Sequence, residues 1–537
     1  MPLQDLGVGG TPIDNLEYAG DYHLPYVHLI SHKGEGIDSN THGENISALV
    51  IEFNIYESIF NSSVTGSIVI ADTQNLIAKL PIQGTERLSF KLTTKLDNDT
   101  PATVIDCTEA NGTAMHIYAV TDKQQVNDNT LTYTLQFASK EFVRNLRTRV
   151  SESFEGRMDQ MVNKIFTDEN YLASSKTLYY QPTRNKDKIV VPNLNPFAAI
   201  GMMCQRALPD IYRSKGAGYL FYETTKGFHF RSWESLCVDS NGDLRDAKQQ
   251  FRYVQGNLDI PSKPARALHQ KGPSPTSTQP SNQDRITETY KNVRSYKFTN
   301  NFHDVAVNTS LGTYGHRVIT HNIYDKSYRE DDYHYHNRFN QTNHLEDFPS
   351  IVDSPVDYDV KEGTPYQKGV SDYPESRVSL QPTTRFLHGD DTGHFGTDVG
   401  DDGILEAGRI AQVNKVHQGT RLEMTVNGQA RLQAGDLIDF DLQSVENRET
   451  SGGRLDPQYS GRYIITDIRH RVAQEKFLQV LTCVKDSSKS GYGYAGKSYT
   501  EMAGAKGRAR SQDLNAQDDQ PRYKAPKTTS GGWTPAS

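Results

Sequence analysis

The feature that most constrains this chain is a β-pattern that occurs twice. His116-Ile117-Tyr118-Ala119-Val120-Thr121-Asp122, a polar turn at Val126-Asn127-Asp128-Asn129, and Leu131-Thr132-Tyr133-Thr134-Leu135 form one copy. Gly461-Arg462-Tyr463-Ile464-Ile465-Thr466-Asp467, a polar stretch, and Phe477-Leu478-Gln479-Val480-Leu481 form the other. The strands ahead of them agree too: Gly84 leads into Leu88-Ser89-Phe90-Lys91-Leu92, and Gly435 into Ile438-Asp439-Phe440-Asp441-Leu442. Such strand-rich runs, polar and apolar in alternation, suit strands with one face in a core. Two readings follow. Either one barrel-like unit is duplicated, or two unrelated antiparallel segments share common strand chemistry. Under the first, one chain carries two units and a ring of three chains presents six.

Around these runs the 537 residues divide into six expected segments. Residues 1–45, polar and glycine-rich, read as an N-terminal arm, and 46–145 as the first tube-like β-domain. Residues 146–254 read as an α+β domain, because the period changes there. Met158, Met161, Val162, Ile165 and Phe166 share one helical face. Asn195-Pro196 is a helix start, followed by the stripe Phe197, Ile200, Cys204, Ala207 and Leu208. A hairpin then turns at Thr225-Lys226-Gly227. Residues 255–404, with five prolines between Pro261 and Pro280 and loops rich in Tyr, His and Asp, read as an insertion or loop-rich domain. Residues 405–486 form the second tube-like β-domain. Residues 487–537, rich in Gly, Ser, Lys and Gln, read as a flexible tail, because few apolar groups offset the entropy of ordering. The expected fold is mainly β with a small α+β domain.

Composition narrows the function. Hydrophobic residues make up 35% of the chain, enough for several modest cores with much loop between them. The net charge of −8, from 58 basic and 66 acidic residues, is a poor match for phosphate backbones, so sequence-specific nucleic-acid binding is not expected. No apolar run approaches the ~18 residues of a membrane span, and the N-terminus has neither the basic start nor the apolar stretch of a signal peptide. Cys107, Cys204, Cys237 and Cys483 form no CxxC pair; they read as free thiols of a reducing compartment rather than a zinc ribbon or disulfide framework. Twenty-nine Tyr against two Trp suit a β-rich protein with large polar contact surfaces.

Chemistry is sparse. His334 and His336 alternate as two imidazoles on one strand face would, but no third ligand stands at a defined spacing, so a polar contact loop is preferred to a metal pair. Asp390, Asp391, Asp398, Asp401 and Asp402 lie in a glycine-rich loop that departs from the spacing of a calcium loop. No GxSxG, HExxH, phosphate-binding loop or dinucleotide fingerprint occurs. Ser460 belongs to a turn, and Trp233 reads as core rather than as a stacking platform. No catalytic residue, cofactor or metal ligand is assigned. Gly461 reads as a turn or a close backbone approach, and Tyr463 as part of the β core.

Several runs carry a resemblance. Ala434-Gly435-Asp436-Leu437-Ile438, Tyr459-Ser460-Gly461-Arg462-Tyr463-Ile464-Ile465-Thr466-Asp467 and His470 resemble the C-terminal module of the baseplate central hub protein of contractile-tailed bacteriophages. That family includes phage late-control proteins and the hub part of type VI secretion spikes. Tyr56-Glu57-Ser58-Ile59-Phe60-Asn61 with Thr65-Gly66-Ser67-Ile68-Val69-Ile70-Ala71-Asp72 resembles its first tube-like domain. Leu194-Asn195-Pro196-Phe197 and Gly227-Phe228-His229-Phe230-Arg231-Ser232 resemble the α+β domain between the two. The resemblance covers about 46–250 and 405–486. It implies a non-enzymatic homotrimer whose two tube-like domains per chain make a pseudo-sixfold ring. Such a ring joins the sixfold tail tube to the threefold central spike and lines the DNA channel, in the virion's tail baseplate. The implied partners are the central spike protein, the tail tube or tube-initiator protein, baseplate wedge proteins and the tape measure protein, with no membrane. Two alternatives stay open at this point. A virion-associated peptidoglycan hydrolase would need a catalytic domain within 255–400, and a glycan-binding adhesive tail protein would use the Tyr-rich loops.

Overall fold

The computed structural model describes residues 19–489, apart from 35–42, 81, 96–100, 184–185, 210–217, 240–242, 254–281, 301–303, 323–325, 327, 341, 352–368, 384–387, 390–394, 397–401, 444–454, 457 and 474–475. The protein is mainly β, as expected. The described part of the N-terminal arm is built into the first module: Val27–Ile30 (β1) lies antiparallel on the sheet and buries Val27 and Leu29 completely. Its other long strands are Val50–Ser58 (β2), Thr65–Asp72 (β3), Arg87–Thr94 (β4), Met115–Asn127 (β5) and Thr130–Ala138 (β6). These six lie in the order β2-β3-β6-β5-β4-β1, and the shorter Tyr22–His23 and Thr103–Cys107 also pair with β4. Their inward residues meet across the curled sheet, with the Phe53 and Phe90 rings 4.7 Å apart edge to face.

In the α+β domain, Met158–Thr167 (α1) buries the five residues assigned to its inner face. Pro196–Cys204 (α2) begins at Asn195, but the side chain that caps it comes from elsewhere: Asn145 Oδ1 accepts the Phe197 N–H at 2.8 Å. Tyr219–Thr224 (β7) and Gly227–Ser232 (β8) form the expected hairpin. Gln249–Arg252 (β9) and Val293–Asn300 (β10), which fall in the segments expected to be α+β domain and insertion, belong by pairing to the second module.

The insertion has its own small core. Gly315–Asn322 (β11), Tyr328–His334 (β12) and Val378–Thr383 (β13) form a sheet in the order β12-β11-β13. Buried Tyr314, Val318, Tyr333, Tyr335 and Phe339 lie beside it. These tyrosines are core, so the contact surface that motivated a glycan-binding reading does not form from them. The helix Asp402–Gln418 (α3) packs on β11 and β12, so Asp402 opens a helix. Asp390, Asp391, Asp398 and Asp401 lie outside the described residues.

The second module is completed by Thr420–Asn427 (β14), Leu437–Asp441 (β15), Gly461–Ala473 (β16) and Lys476–Lys485 (β17), in the order β10-β14-β17-β16-β15-β9. This repeats the order of the first module strand for strand, with the outermost strand parallel instead of antiparallel. The two first strands match as well: Val50, Phe53 and Ile55 correspond to Val293, Tyr296 and Phe298. The order supports duplication over coincidence. Neither module's ladder closes into a barrel among the described residues. The start of each first strand is tied to its outermost strand only locally, by Ile46 N–H to Val27 O at 2.9 Å and by an isolated Arg252–Asn292 bridge.

Gly461 is the close approach expected of it. Its φ is +127°, and a Cβ there would stand 2.5 Å from Glu346 Oε1. The tail begins ordered: Asp486, Ser487 and Ser488 are buried, and Ser487–Ser488 pair with Phe348–Pro349.

Candidate assembly interface

The modules are joined edge to edge. β16 is thirteen residues long, and one of its edges serves two neighbours in turn. Gly461–Ile464 pair with β15, and Asp467–Ala473 pair antiparallel with Ser58–Glu52 of β2. The two modules therefore share one continuous sheet. On the outer face of the joint, Glu52 receives Arg469 at 2.9 Å and Arg471 at 3.0 Å, and Ser58 donates to Asp467 at 2.6 Å. These partly exposed ion pairs each contribute little; their effect is to occupy both guanidinium groups with protein.

The inner face of the joint is held by Glu57, which is 1% exposed. Its carboxylate accepts the Thr225 N–H at 3.0 Å and the Ala434 N–H at 3.1 Å, and His470 Nε2 lies 3.5 Å away. One side chain thus binds β2, the α+β hairpin turn and the loop before β15. Burial alone would raise its pKa, but His470 and the two backbone donors hold it below the usual carboxylate range. A second tie runs through Glu223, which accepts the Val64 N–H at 2.8 Å and pairs with buried Lys176 at 2.6 Å.

The Glu57→Ala variant is expected to lose about 3–5 kcal/mol in urea unfolding, because it strands two N–H groups and a buried imidazole. Since the folded pKa is depressed, the contribution of Glu57 is present above the unfolded value of about 4.3 and disappears as pH falls below it. The gap between parent and variant should narrow there. A variant as stable as its parent at pH 7 would remove Glu57 from this role.

The same geometry leaves two edges over. β5 is also thirteen residues long. On the edge opposite β6 it pairs with β4 only at Met115 and His116. Among the described residues no strand covers the rest of that edge, and Asp122–Asn129 are exposed, with Val126 at 61%. β10 pairs with β14 on one side, and no described strand runs along its other side beyond the Asn292 bridge. In strand order β5 corresponds to β16, and β10 to β2. The open edges are therefore the counterparts of the pair that joins the modules within the chain.

The other sequence candidates lie away from this interface. His334 and His336 do not share a strand face, because β12 ends at His334 and a helical turn, Tyr335–Phe339, follows. His334 Nε2 meets Asp372 at 2.8 Å, and His336 meets Ser371 Oγ at 2.7 Å and Ile351 O at 2.8 Å. All four cysteines are buried free thiols, and burial pushes those of Cys107 and Cys204 up to about 12. Trp233 is buried. Sequence reasoning missed Glu57 and the strand β10; the spacing shared by Val50, Phe53, Ile55 and Val293, Tyr296, Phe298 is the signal that finds β10.

No protein-family model and no curated protein matches the chain. Solved structures do. A tail protein from Neisseria meningitidis is 7% identical, over 87% of this chain and 97% of that one, with a TM-score of 0.44. A 43 kDa prophage tail protein from Shewanella oneidensis is 8% identical, over 86% and 99%, with a TM-score of 0.40. A type VI secretion component from E. coli, described as structurally similar to the T4 bacteriophage tail proteins gp27 and gp5, is 8% identical over 83% and 76%, with a TM-score of 0.35.

Proposed function

We propose that the chain is a structural, non-enzymatic hub of a contractile phage tail baseplate. Three copies close a ring of six β-modules that adapts the sixfold tail tube to the threefold central spike. The observation that carries this reading is the pair of open edges. The outer half of β5 and the outer edge of β10 are placed as β16 and β2 are, and β16 and β2 pair within the chain. If β5 of one copy pairs with β10 of the next, every module meets its neighbours in one way. Two modules per chain then give six around a ring of three, and such a ring covers the open edges of β5 and β10.

The outer sheet face suits a passage for DNA. Across the joint a row runs Thr425, Val480, Arg469, Tyr56, Thr65. Beside it, Arg471, Asn54, Ser67 and Gln136 form another. The residues are mostly polar, and both arginines are engaged by Glu52, so phosphates gain little by stopping there. The runs at 56–72 and 459–470 that resemble the hub family include parts of β2 and β16, the two strands that build the joint. On this reading the partners are the central spike protein, the tail tube or tube-initiator protein, baseplate wedge proteins and the tape measure protein, in the virion's tail.

Light scattering coupled to size exclusion tests the ring. The purified chain is expected at three times its 60.3 kDa mass across micromolar concentrations. A monomer throughout, or a stable hexamer, overturns the proposal.

A further inference from the structure

The two open edges share an irregularity that the pair joining the modules lacks. Ladder partners set which residues of the two modules correspond. On β3, Glu52, Phe53, Asn54, Ile55 and Tyr56 face Val69, Ile68, Ser67, Gly66 and Thr65. On β14, Ser295, Tyr296, Lys297 and Phe298 face Thr425, Met424, Glu423 and Leu422, and the next partner, Arg421, faces Asn300. Each ladder skips one residue at the same end, Ile51 and Arg294, which fixes the match. Lys297 and Phe298 therefore stand where Asn54 and Ile55 do, and Asn300 where Tyr56 does. Thr299 is one residue more than β2 has.

The other open strand carries an extra residue of its own. In β16, Arg469, His470 and Arg471 face consecutive residues of β17: Val480, Gln479 and Leu478. In β5, Thr121 faces Thr134 and Gln124 faces Thr132. Both ladders skip one residue just before, Tyr118 and Thr466, and so align. Asp122 and Lys123 thus fill the step that His470 fills alone, and Asp122 has the left-handed φ of +54° common in bulges. A second extra residue, Val126, lies beyond Gln125 at the hairpin tip.

The two irregularities fall at one level. In the joint within the chain, His470 faces Ile55. The extra residue of β5 stands at the place of His470, and that of β10 directly follows Phe298, at the place of Ile55. One unmatched insertion would slip the register by one and turn every later side chain to the opposite face. Two at the same step cancel.

Resting on the ring described above, we propose that β5 of one copy and β10 of the next pair bulge to bulge. Thr121 then lies opposite Asn300, Gln124 opposite Lys297 and Gln125 opposite Tyr296, as Arg469, Arg471 and Val472 lie opposite Tyr56, Asn54 and Phe53 within the chain. A bulged edge is a poor template for a regular strand. The matched bulges therefore make each open edge fit a second copy of this chain better than a stray strand, and they fix the register of the contact.

Cysteine pairs read the register. Gln124, Ser295, Lys297 and Thr299 are exposed, and the four native cysteines are buried. Residues directly opposite in an antiparallel ladder have Cα atoms ~4.5–5.5 Å apart, within reach of a disulfide. Under mild oxidation of the full chain, Gln124→Cys with Lys297→Cys is expected to give at least tenfold more covalent dimer and trimer than Gln124→Cys with Ser295→Cys or with Thr299→Cys. Equal linking at either control position overturns the register, as does absence of linking in a chain that light scattering still finds trimeric; both results leave the ring standing. A monomer removes ring and register together. Deletions give a second readout. Deleting Asp122 gives β5 the length of β16 at this step, and deleting Thr299 gives β10 that of β2. Either deletion alone should lower the trimer fraction at micromolar concentration at least tenfold, and both together should restore it. Single deletions that assemble like the parent overturn the proposal, and so does a double deletion that stays monomeric.

Discussion

The Tyr463→Ala variant is expected to unfold with about 3–5 kcal/mol less free energy than the parent, by the measure of buried aromatic truncations. Tyr463 is 0% exposed and lies opposite Ile438 in the β15–β16 ladder. Its ring is 6.2 Å from that of Phe440, and the Lys485 ammonium stands 5.5 Å from its centre. Its hydroxyl donates to Tyr459 O at 2.7 Å. Truncation opens a cavity, removes a cation–π contact and leaves a carbonyl without its donor. The same strand carries the joint to β2 four residues further on, so ring assembly should weaken with the fold. Urea denaturation and light scattering on one sample check both effects. A variant that melts and assembles like the parent would take Tyr463 out of the module core.

Shortening the β5–β6 hairpin should separate assembly from stability. Replacing Gln125–Leu131 by a two-residue Asn-Gly turn joins Gln124 to Thr132, which already face each other in the ladder, and suits a type I′ turn. Most of the residues removed are exposed, so the melting temperature should change by only a few degrees. The outer end of the open edge of β5, Gln125–Asn127, is lost with them. The mass in solution is therefore expected to fall from that of three chains towards that of one. A shortened chain that remains trimeric would show that the ring closes through other strands, while a strongly destabilised one would show that the hairpin tip belongs to the core.

Much of the fold was legible in the sequence because burial leaves a period. The strands of both hairpins, the helix faces of α1 and α2 and the turn at Thr225-Lys226-Gly227 all follow from which residues alternate. Gly461 and Tyr463 were read as structural for the same reason, and the structure gives Gly461 a positive φ and Tyr463 a place in the core. The histidine pair shows the limit of that reasoning. Tyr333 to His336 alternate like a strand, yet the chain turns into a helix at Tyr335, because Tyr335 packs into the core of the insertion and His334 caps the turn through the Asn337 N–H.

The sequence by itself determined that this is a mainly β chain with one strand pattern present twice, since apolar alternation and matched order are properties of local runs. Only the tertiary structure decided which edges meet. β16 pairs with β2 across more than four hundred residues, and β10 joins a module whose strands β14 to β17 follow a long insertion. Edge pairing is made by backbone N–H and C=O groups that every residue carries, so it leaves no periodic trace in the side chains. Glu57 shows the same gap from the other side. In sequence it is one acid among many, and it becomes the tie of three elements only where β2, the β7–β8 turn and the loop before β15 bring their donors to one buried point.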